Sequence, residues 1–583
     1  MKNYFFVNVL INLPLDRFFT YKTDVKYKNS INIGSIVSVP FGNNNEILKG
    51  IVISKLNNFK SFYAIKKIQN PDINNIVFTK EQIKFLEWIE EYYLLKLPKV
   101  FHSLFPNQIL NIKNTLNVDI NKKIKRKTSE IKKFSTYLIK DLSKNYFKKI
   151  KELIKESNNS NNQYLIIAPS IYQSFEIYKE LKSKYNNECC IYNSKITLKE
   201  KKENWVNIIN NKIKIIIGVK SAIFLPFRNL KLTIVINEHE SLYKENDKKL
   251  RYNARDCAVM LTKIYSSKTI LISATPSIET YYNVQKNKYG YIKNTKNLKK
   301  LSLKKILVLN TIEKKIKKQI KGLLTNDLIN KVEKNIIKNY KCLIYTPSSK
   351  NIGLIYDQLI NSNKKLKILL FNKENLKTRK TICKIIDSIN NYDIIIGNQI
   401  ILNSIQIKNC KLIALIDTDK ISNKPTYKAN EKYFQMLTSI VQKVNNNSQK
   451  LIIQTNNSTD LLFKQSLNIK NKEFYESEMI ERKFYKYSPY FRIIKIEIND
   501  FKKNNKNVIS DIFYKKFKKE FNSIDIVQIG DINNQNKRIY IIEIKLPQNN
   551  FLKSNKIKIQ NFIIKFQKEK KFKEAQFTVD IDP

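Results

Sequence analysis

The sequence predicts an α/β protein in which a β-rich N-terminal segment precedes two parallel-sheet lobes. Short apolar runs, YLIIAP, IKIIIG, LTIVIN and TILIS, alternate with helix-length segments between Phe134 and about Lys293, as in a parallel sheet covered by helices. A second such series runs from Lys341 to Thr455, and in each series one strand ends in a glycine, IKIIIG at Gly218 and YDIIIG at Gly397. Tyr4 to Lys55 instead alternates apolar and polar residues and is broken by Pro14, Pro40 and glycines, which reads as short half-buried strands.

Length and composition bound the function. At 583 residues the chain is long enough for about three or four domains. Lys and Arg total 107 against 50 for Asp and Glu, a net charge of +57, and so basic a chain predicts a polyanionic partner. Yet Lys, Asn and Ile dominate, Arg is scarce, and glycines number 9 where average usage gives roughly 40. An A+T-rich genome imposes that pattern codon by codon, so part of the charge is drift and the rest is selected for a polyanionic partner. Glycines that persist against such drift, Gly34, Gly42, Gly50, Gly218 and Gly397, mark backbone needs. Without a run of 18 apolar residues or a cleavable signal pattern, the expectation is a soluble cytoplasmic protein with no membrane partner. Cys189, Cys190, Cys257, Cys342, Cys383 and Cys410 show no CxxC spacing and read as apolar residues of a reducing compartment. His102 and His239 are the only histidines, so histidine catalysis has few candidates, and nucleophilic-triad and metallohydrolase readings find no support.

Between Ile215 and Thr280 the chain carries IIIGVKSAIFLPFRNL, IVINEHESLYKENDKKLRYNARDCAVM and LISATPSIET. SAIFLPFRNL, the pair Tyr243-Lys244, RYNARD and SATPSIET together resemble the primosomal protein N′ (PriA) family of replication-restart proteins. NVLINLPLDRFFTYK, GSIVSVPFGNN and KGIVISK near the N-terminus are similar to its DNA 3′-end-binding domain, and FLEWIEEYYLLKLPKVFHSLFP to its closing helix. YDIIIGNQI, LIALIDTDK and YKANEKYFQMLTSIV resemble the second motor lobe; SPYFRIIKIEI, RIYIIEIKLP and FTVDIDP resemble the C-terminal domain. The resemblance implies two RecA-like helicase lobes with an N-terminal β-rich DNA-binding domain and a small α+β C-terminal domain. The expected division is 1–106 for the 3′-end-binding-like domain, 107–133 for a basic linker too short for the family's winged helix, 134–293 and 294–480 for the lobes, and 481–583 for the C-terminal domain. The family's cysteine-rich two-zinc segment has no counterpart after CLIYTPSSK, because tetrahedral zinc needs four close ligands that this stretch lacks. Zinc is therefore not expected, nor any other metal site.

Three elements of the family's nucleotide chemistry are degraded. A P-loop needs glycines for close approach to phosphate, Lys for its charge and Ser or Thr for magnesium. Ser143-Lys144 matches the Gly-Lys of that loop, but every glycine is gone and Asn145 replaces the hydroxyl. Ile236 and Asn237 stand where the Asp-Glu pair would hold magnesium and polarise water; Glu238 and His239 match the following residues. Lys443 and Asn446 occupy the positions of the arginine pair, and Lys lacks the planar guanidinium fork. ATP and magnesium are therefore not assigned as cofactors.

For DNA, the resemblance carries the 3′-end pocket onto Phe19, Thr20 and Gly42. Phe19 keeps a stacking face, while Thr20 replaces the acid expected to accept from a 3′ hydroxyl. Of the aromatic neighbours Phe18 and Tyr21, at least one is expected in the core. Arg251 and Arg255 of RYNARD are expected DNA contacts; Asp417 and Asp419 of LIDTD are expected to serve packing and turns. Three readings stay open: a primosome-assembly factor that binds branched or stalled-fork DNA and promotes replicative-helicase loading without efficient ATP hydrolysis, an active ATP-dependent 3′ to 5′ DNA helicase, or a decaying gene product with only nonspecific electrostatic DNA binding. Expected partners are forked or single-stranded DNA, primosome proteins and the replicative helicase.

Overall fold

The structure is a computed structural model that describes residues 4–69, 75–112, 134–140, 146–156, 161–292, 305–372, 374–399, 401, 407–446, 449–468, 471–500, 509–534, 537–569, 572 and 575–583. At the N-terminus, strands Phe19–Asp24, Tyr4–Ile11, Glu46–Leu56 and Ile36–Phe41 lie side by side in that order as an antiparallel sheet. Alternation places Phe5, Val7, Val9 and Ile11 inside with Tyr21, Val37, Val39 and Val52, as period-2 geometry requires. Lys67 bridges Lys22 on one edge strand and Gln69 bridges Ser38 on the other, so the segment after Leu56 spans the gap between the two edges.

The closing helix is two helices. Lys80–Tyr93 starts at Thr79, whose side chain accepts from the Gln82 amide, and buries Ile83, Phe85, Leu86, Ile89 and Tyr93. Leu94 then adopts φ 56°, and Leu97–Leu104 begins with Pro98 in its first turn, where a missing N–H costs nothing. The stretch read as a linker also begins inside the fold: Asn107–Asn111 forms a 3-10 turn, and Ile109, Leu110 and Ile112 are buried. Apolar residues every few positions outweighed the polar composition there; residues 113–133 lie outside the described residues.

Both central lobes are built on parallel sheets. In the first, the order is Gly290–Ile292, Thr136–Lys140, Lys268–Ser273, Leu230–Ile236, Gln163–Ile167, Ile215–Gly218 and Cys189–Tyr192. The second reads Ile306–Asn310, Lys450–Thr455, Cys410–Ile416, Lys341–Tyr345, Ile394–Gly397 and Ile368–Phe371. Numbered within each lobe, both follow 1-6-5-2-4-3, and the first adds a seventh strand beside its strand 1. Two copies of one RecA-like topology account for the two similar apolar series. In the second lobe, strand Lys341–Tyr345 passes through helix Ser349–Ser362 directly to Ile368–Phe371.

The two strand-end glycines are equivalent positions. A Cβ on Gly218 would come within 2.6 Å of the Tyr192 carbonyl oxygen, and one on Gly397 within 2.8 Å of that of Phe371. In each lobe the neighbour is the last residue of the edge strand, so close backbone approach rather than positive φ demands glycine.

Strands Asp525–Asn534, Lys537–Pro547, Phe491–Asp500 and Gln576–Ile581 form a C-terminal antiparallel sheet in that order, with helices Ile509–Glu520 and Leu552–Lys568. This is the expected small α+β unit. Helix Asn471–Phe484 runs across the 480/481 boundary, since a continuous helical ladder leaves no break there. One hydrophobic core joins the helix Lys80–Tyr93, the first lobe and the C-terminal sheet, and Trp205 Nε1 donates to the Val77 carbonyl at 2.8 Å. Among the described residues no helix is long and apolar enough to cross a membrane.

Candidate nucleotide and nucleic-acid sites

Strand Leu230–Ile236 of the first lobe brings Ile236 to its end, 1 % exposed and packed with other strand residues including Ile234, Ile270 and Ile272. Asn237 turns the chain at φ 49°, a conformation its short polar side chain tolerates. The carboxylate of Glu238 is then enclosed by four donors: the Ser277 amide at 2.7 Å, the Ser277 and Thr280 hydroxyls at 3.0 Å each, and Arg255 Nη1 at 3.3 Å. Burial pushes the Glu238 pKa up, against the pull of Arg255 and these hydrogen bonds. Ser277 also caps helix Ile278–Gln285, so Glu238 ties the strand end to the SATP turn. His239 Nδ1 lies 2.7 Å from Ser273 Oγ, which accepts from the Thr275 amide at 3.1 Å. Tyr243, 1 % exposed, donates to the carbonyls of Ile167 and Ile236 and fastens two neighbouring strand ends.

Across from this turn, helix Ala429–Asn446 of the second lobe supplies Glu431, whose Oε1 accepts from the Ile278 amide at 2.9 Å. Its other oxygen lies 2.6 Å from Arg482 Nη2, while Arg482 Nε bonds Glu478 at 2.9 Å and Nη1 lies 3.4 Å from Glu279. Tyr475 and Gln435 both donate to the Pro276 carbonyl, and Phe434 stacks on Phe474 at 3.8 Å between centroids. Gln399 Nε2 reaches Glu240 at 3.0 Å. An ionic and aromatic seam thus joins the SATP turn to the second lobe. Burial pushes Glu279 up, but Arg482, Lys428 and Arg255 outweigh it and hold that carboxyl well below its usual range.

The two RYNARD arginines do not present free guanidinium groups for DNA. Arg255 is 11 % exposed and faces Glu238, Asp256 and Glu279. Arg251 forms a two-point pair with Glu497 at 2.6 and 2.8 Å and reaches Asp580 at 3.5 Å. Lys244 also meets Asp580 at 2.6 Å and donates to the Ile581 carbonyl, Arg492 pairs with Asp582, and Lys428 Nζ lies 2.8 Å from the Pro583 carbonyl. FTVDIDP is therefore an ionic counterpart of Arg251 and Lys244 across the domain boundary, whereas Arg255 pairs with carboxylates of its own lobe, so both guanidinium groups expected at DNA lie against carboxylates. In the second lobe Asp419 accepts from Thr455 Oγ1 at 2.6 Å and the Asn456 amide at 2.7 Å, and Asp417 accepts from Asn351 Nδ2 at 2.6 Å, turn-holding contacts both.

Ser143, Lys144 and Asn145 lie outside the described residues, immediately beyond strand Thr136–Lys140. Lys443 and Asn446 fall on helix Ala429–Asn446. Of the three nucleotide elements, two are thus placed, one at the end of strand 5 of the first lobe and one on a helix of the second.

In the N-terminal domain Phe19 and Gly42 are brought together: the rings of Phe19 and Phe41 meet edge-on at 5.2 Å, next to Gly42 at φ 71°. Arg17 stacks over Phe19 at 5.3 Å. Thr20 Oγ1 donates to Asn8 Oδ1 at 2.8 Å, so its proton is committed to the neighbouring strand, and Lys66 Nζ donates to the Gly42 carbonyl at 2.7 Å. Tyr21 is the core aromatic and Phe18 the exposed one. Sequence reasoning missed Asn8, Lys66, Glu431 and Arg482. Asn8 and Glu431 lie inside the quoted motifs NVLINLPLDRFFTYK and YKANEKYFQMLTSIV but carry no mark of their partners, Lys66 lies outside every motif, and the rarity of arginine was a signal that pointed to Arg482.

Comparisons with known proteins agree with this layout. Residues 8–106 match the 3′ DNA-binding domain model of PriA, described as "3'DNA-binding domain (3'BD)", and residues 143–284 match the DEAD/DEAH box helicase model. Replication restart protein PriA of Rickettsia prowazekii is 26 % identical over 529 residues, covering 76 % of this chain and 79 % of that relative. The same protein of Buchnera aphidicola is 36 % identical over 214 residues, 36 % of this chain and 29 % of the relative. Among solved structures, RecG bound to a three-way DNA junction is similar over 69 % of this chain and 46 % of its own, with TM-score 0.40 and 14 % identity.

Proposed function

The chain belongs to the PriA family of replication restart proteins, and from that premise we propose that it binds branched or stalled-fork DNA and promotes replicative-helicase loading without efficient ATP hydrolysis. A PriA-type role rests on the family models and relatives over most of the chain. The loss of turnover is carried by the end of strand Leu230–Ile236. Ile236 brings no oxygen there, Asn237 is neutral, and the Glu238 carboxylate is enclosed by Ser277, Thr280 and Arg255. Described residues at this strand end do not fit a magnesium–nucleotide, which needs oxygen ligands with room for phosphate and water. The seam through Glu431 and Arg482 supports the same reading, since it fastens the lobes to each other at the SATP turn.

In this reading the N-terminal domain receives a 3′ strand end at Phe19 and Gly42, with Thr20 a weaker acceptor than a carboxylate. Primosome proteins and the replicative helicase are the proposed partners, in the cytoplasm. Purified protein is to be assayed for DNA-stimulated ATP hydrolysis on a forked substrate beside Lys144→Ala. Turnover no greater than that of the variant, with fork binding retained, is the expected result. Turnover that Lys144→Ala abolishes overturns the proposal in favour of an active helicase. Thr20→Asp is expected to sharpen the preference for a 3′ hydroxyl over a 3′ phosphate, read by competition binding.

A further inference from the structure

Apolar rings are normally withdrawn from water, because each buried ring gains roughly 1.5–3 kcal/mol. After strand Glu46–Leu56 the chain does the opposite. Phe62 is fully exposed and Tyr63 is 85 % exposed, with Phe59 at 39 % behind them. Ser61 Oγ accepts from the Tyr63 amide at 3.1 Å, which shapes the turn that carries both rings. Phe59 packs against Phe6 of the sheet at 6.1 Å, anchoring the loop's start. Its far end is anchored as well, by Lys66 on the Gly42 carbonyl and by the Lys22–Lys67 bridge.

The surroundings are cationic. From Lys55 to Gln69 the chain has Lys55, Lys60, Lys66 and Lys67 and no acidic residue. Tyr4, 41 % exposed, has Lys22 at 5.4 Å and Lys67 at 5.7 Å from its ring centre. Lys67 pairs with Asp24 at 2.9 Å, whereas Lys60 faces no carboxylate among the described ion pairs. Exposed rings interleaved with lysines are what single-stranded nucleic acid binds, bases on the rings and phosphates on the ammonium groups.

We infer that Phe62 and Tyr63 form a stacking platform for single-stranded DNA that continues the candidate 3′-end pocket at Phe19 and Gly42. Phe62 is four residues from Lys66, so it lies within roughly 14 Å of the Lys66 backbone, a span of about four stacked bases. The last base of a strand occupies Phe19, and bases on its 5′ side reach the loop. The platform supplies affinity that grows with the length of single strand and is indifferent to sequence, since every base has a stacking face.

This inference rests on the 3′-end reading of the N-terminal domain, and the experiment separates the two. Full-length protein is titrated against duplexes with single-stranded 3′ tails of about two and about ten nucleotides. The variant Phe62→Ala/Tyr63→Ala is expected to bind the long tail about tenfold or more weakly and the short tail as the unmodified protein does. Phe62→Trp/Tyr63→Trp is expected to restore the long-tail gain, and Phe62→Leu/Tyr63→Leu is not. Both positions lie on the surface, so the three double variants leave the core intact, which circular dichroism checks. Unchanged binding of both tails by the alanine variant overturns the platform and assigns the rings to a protein partner or to codon drift. If Phe19→Ala weakens both tails in that case, the 3′-end reading stands alone; if it too changes nothing, that reading fails with the platform.

Discussion

Arg482 is 2 % exposed, with Glu431, Glu478 and Glu279 around its guanidinium. Buried charges of this kind add little net stability when complete, but removal of one member leaves the others uncompensated. Arg482→Ala is expected to cost about 3–5 kcal/mol in denaturant unfolding, far more than truncation of exposed Lys60. The same cluster predicts a pH dependence. Burial pushes Glu478 up to about 7 against the pull of Arg482, above the roughly 4.3 of an unfolded glutamate. A raised carboxyl pKa means that the folded state binds the extra proton. Its stabilisation is complete below the unfolded value and lost as pH rises through about 7. Between about pH 5 and pH 8 the unmodified protein should therefore lose stability relative to Glu478→Gln, seen as converging or crossing thermal midpoints. Midpoints that run parallel over that range contradict the assignment.

At the scale of elements, the two lobes repeat one design down to a single glycine. Gly218 and Gly397 each end strand 4 of their lobe against the last carbonyl of strand 3, at 2.6 and 2.8 Å from where a Cβ would sit. Backbone cannot rotate out of the way as a side chain can, so the edge strand must shift. Gly218→Ala and Gly397→Ala are each expected to cost about 1–3 kcal/mol by urea unfolding, and similar values at both sites would follow from the shared topology. Much of this scale was legible in the sequence. Apolar runs of strand length located the parallel strands, and the stretch FLEWIEEYYLLKLPKVFHSLFP located the helical close of the first domain. Less legible was the break at Leu94, since a left-handed leucine carries no compositional signal, or the turn at Asn107–Asn111, hidden in polar sequence.

On the scale of the whole molecule, the last strand is a joint. Asp580 meets Lys244 and Arg251 of the first lobe, and Asp582 meets Arg492, with Lys428 of the second lobe close by. Asp580→Asn leaves Lys244 and part of Arg251 buried beside a neutral amide. We expect the C-terminal sheet to loosen from the lobes, read as earlier protease cleavage between the second lobe and residues 491–583 and as a second unfolding transition. Charge acts at this scale too. With a net +57, fork binding should weaken steeply as salt rises, through counterion release from phosphate. A preference for forked over plain duplex DNA that persists at moderate salt distinguishes a shaped site from bulk charge.

The sequence by itself determined the two lobes, the β-rich entry domain, the basic character and the family, because periodicity, strand-end glycines and contiguous motifs are local properties of the chain. It also singled out Ile236, Asn237 and Thr20, which stand where the family resemblance expects acidic residues. Only the tertiary structure decided what the charged motif residues do. Arg251 and Arg255 look like DNA contacts in a string, yet meet carboxylates from Glu497, Asp580, Glu238 and Glu279, some of them more than two hundred residues away. An arginine's partner is set by which surfaces the packed lobes bring opposite one another, and no local pattern encodes that.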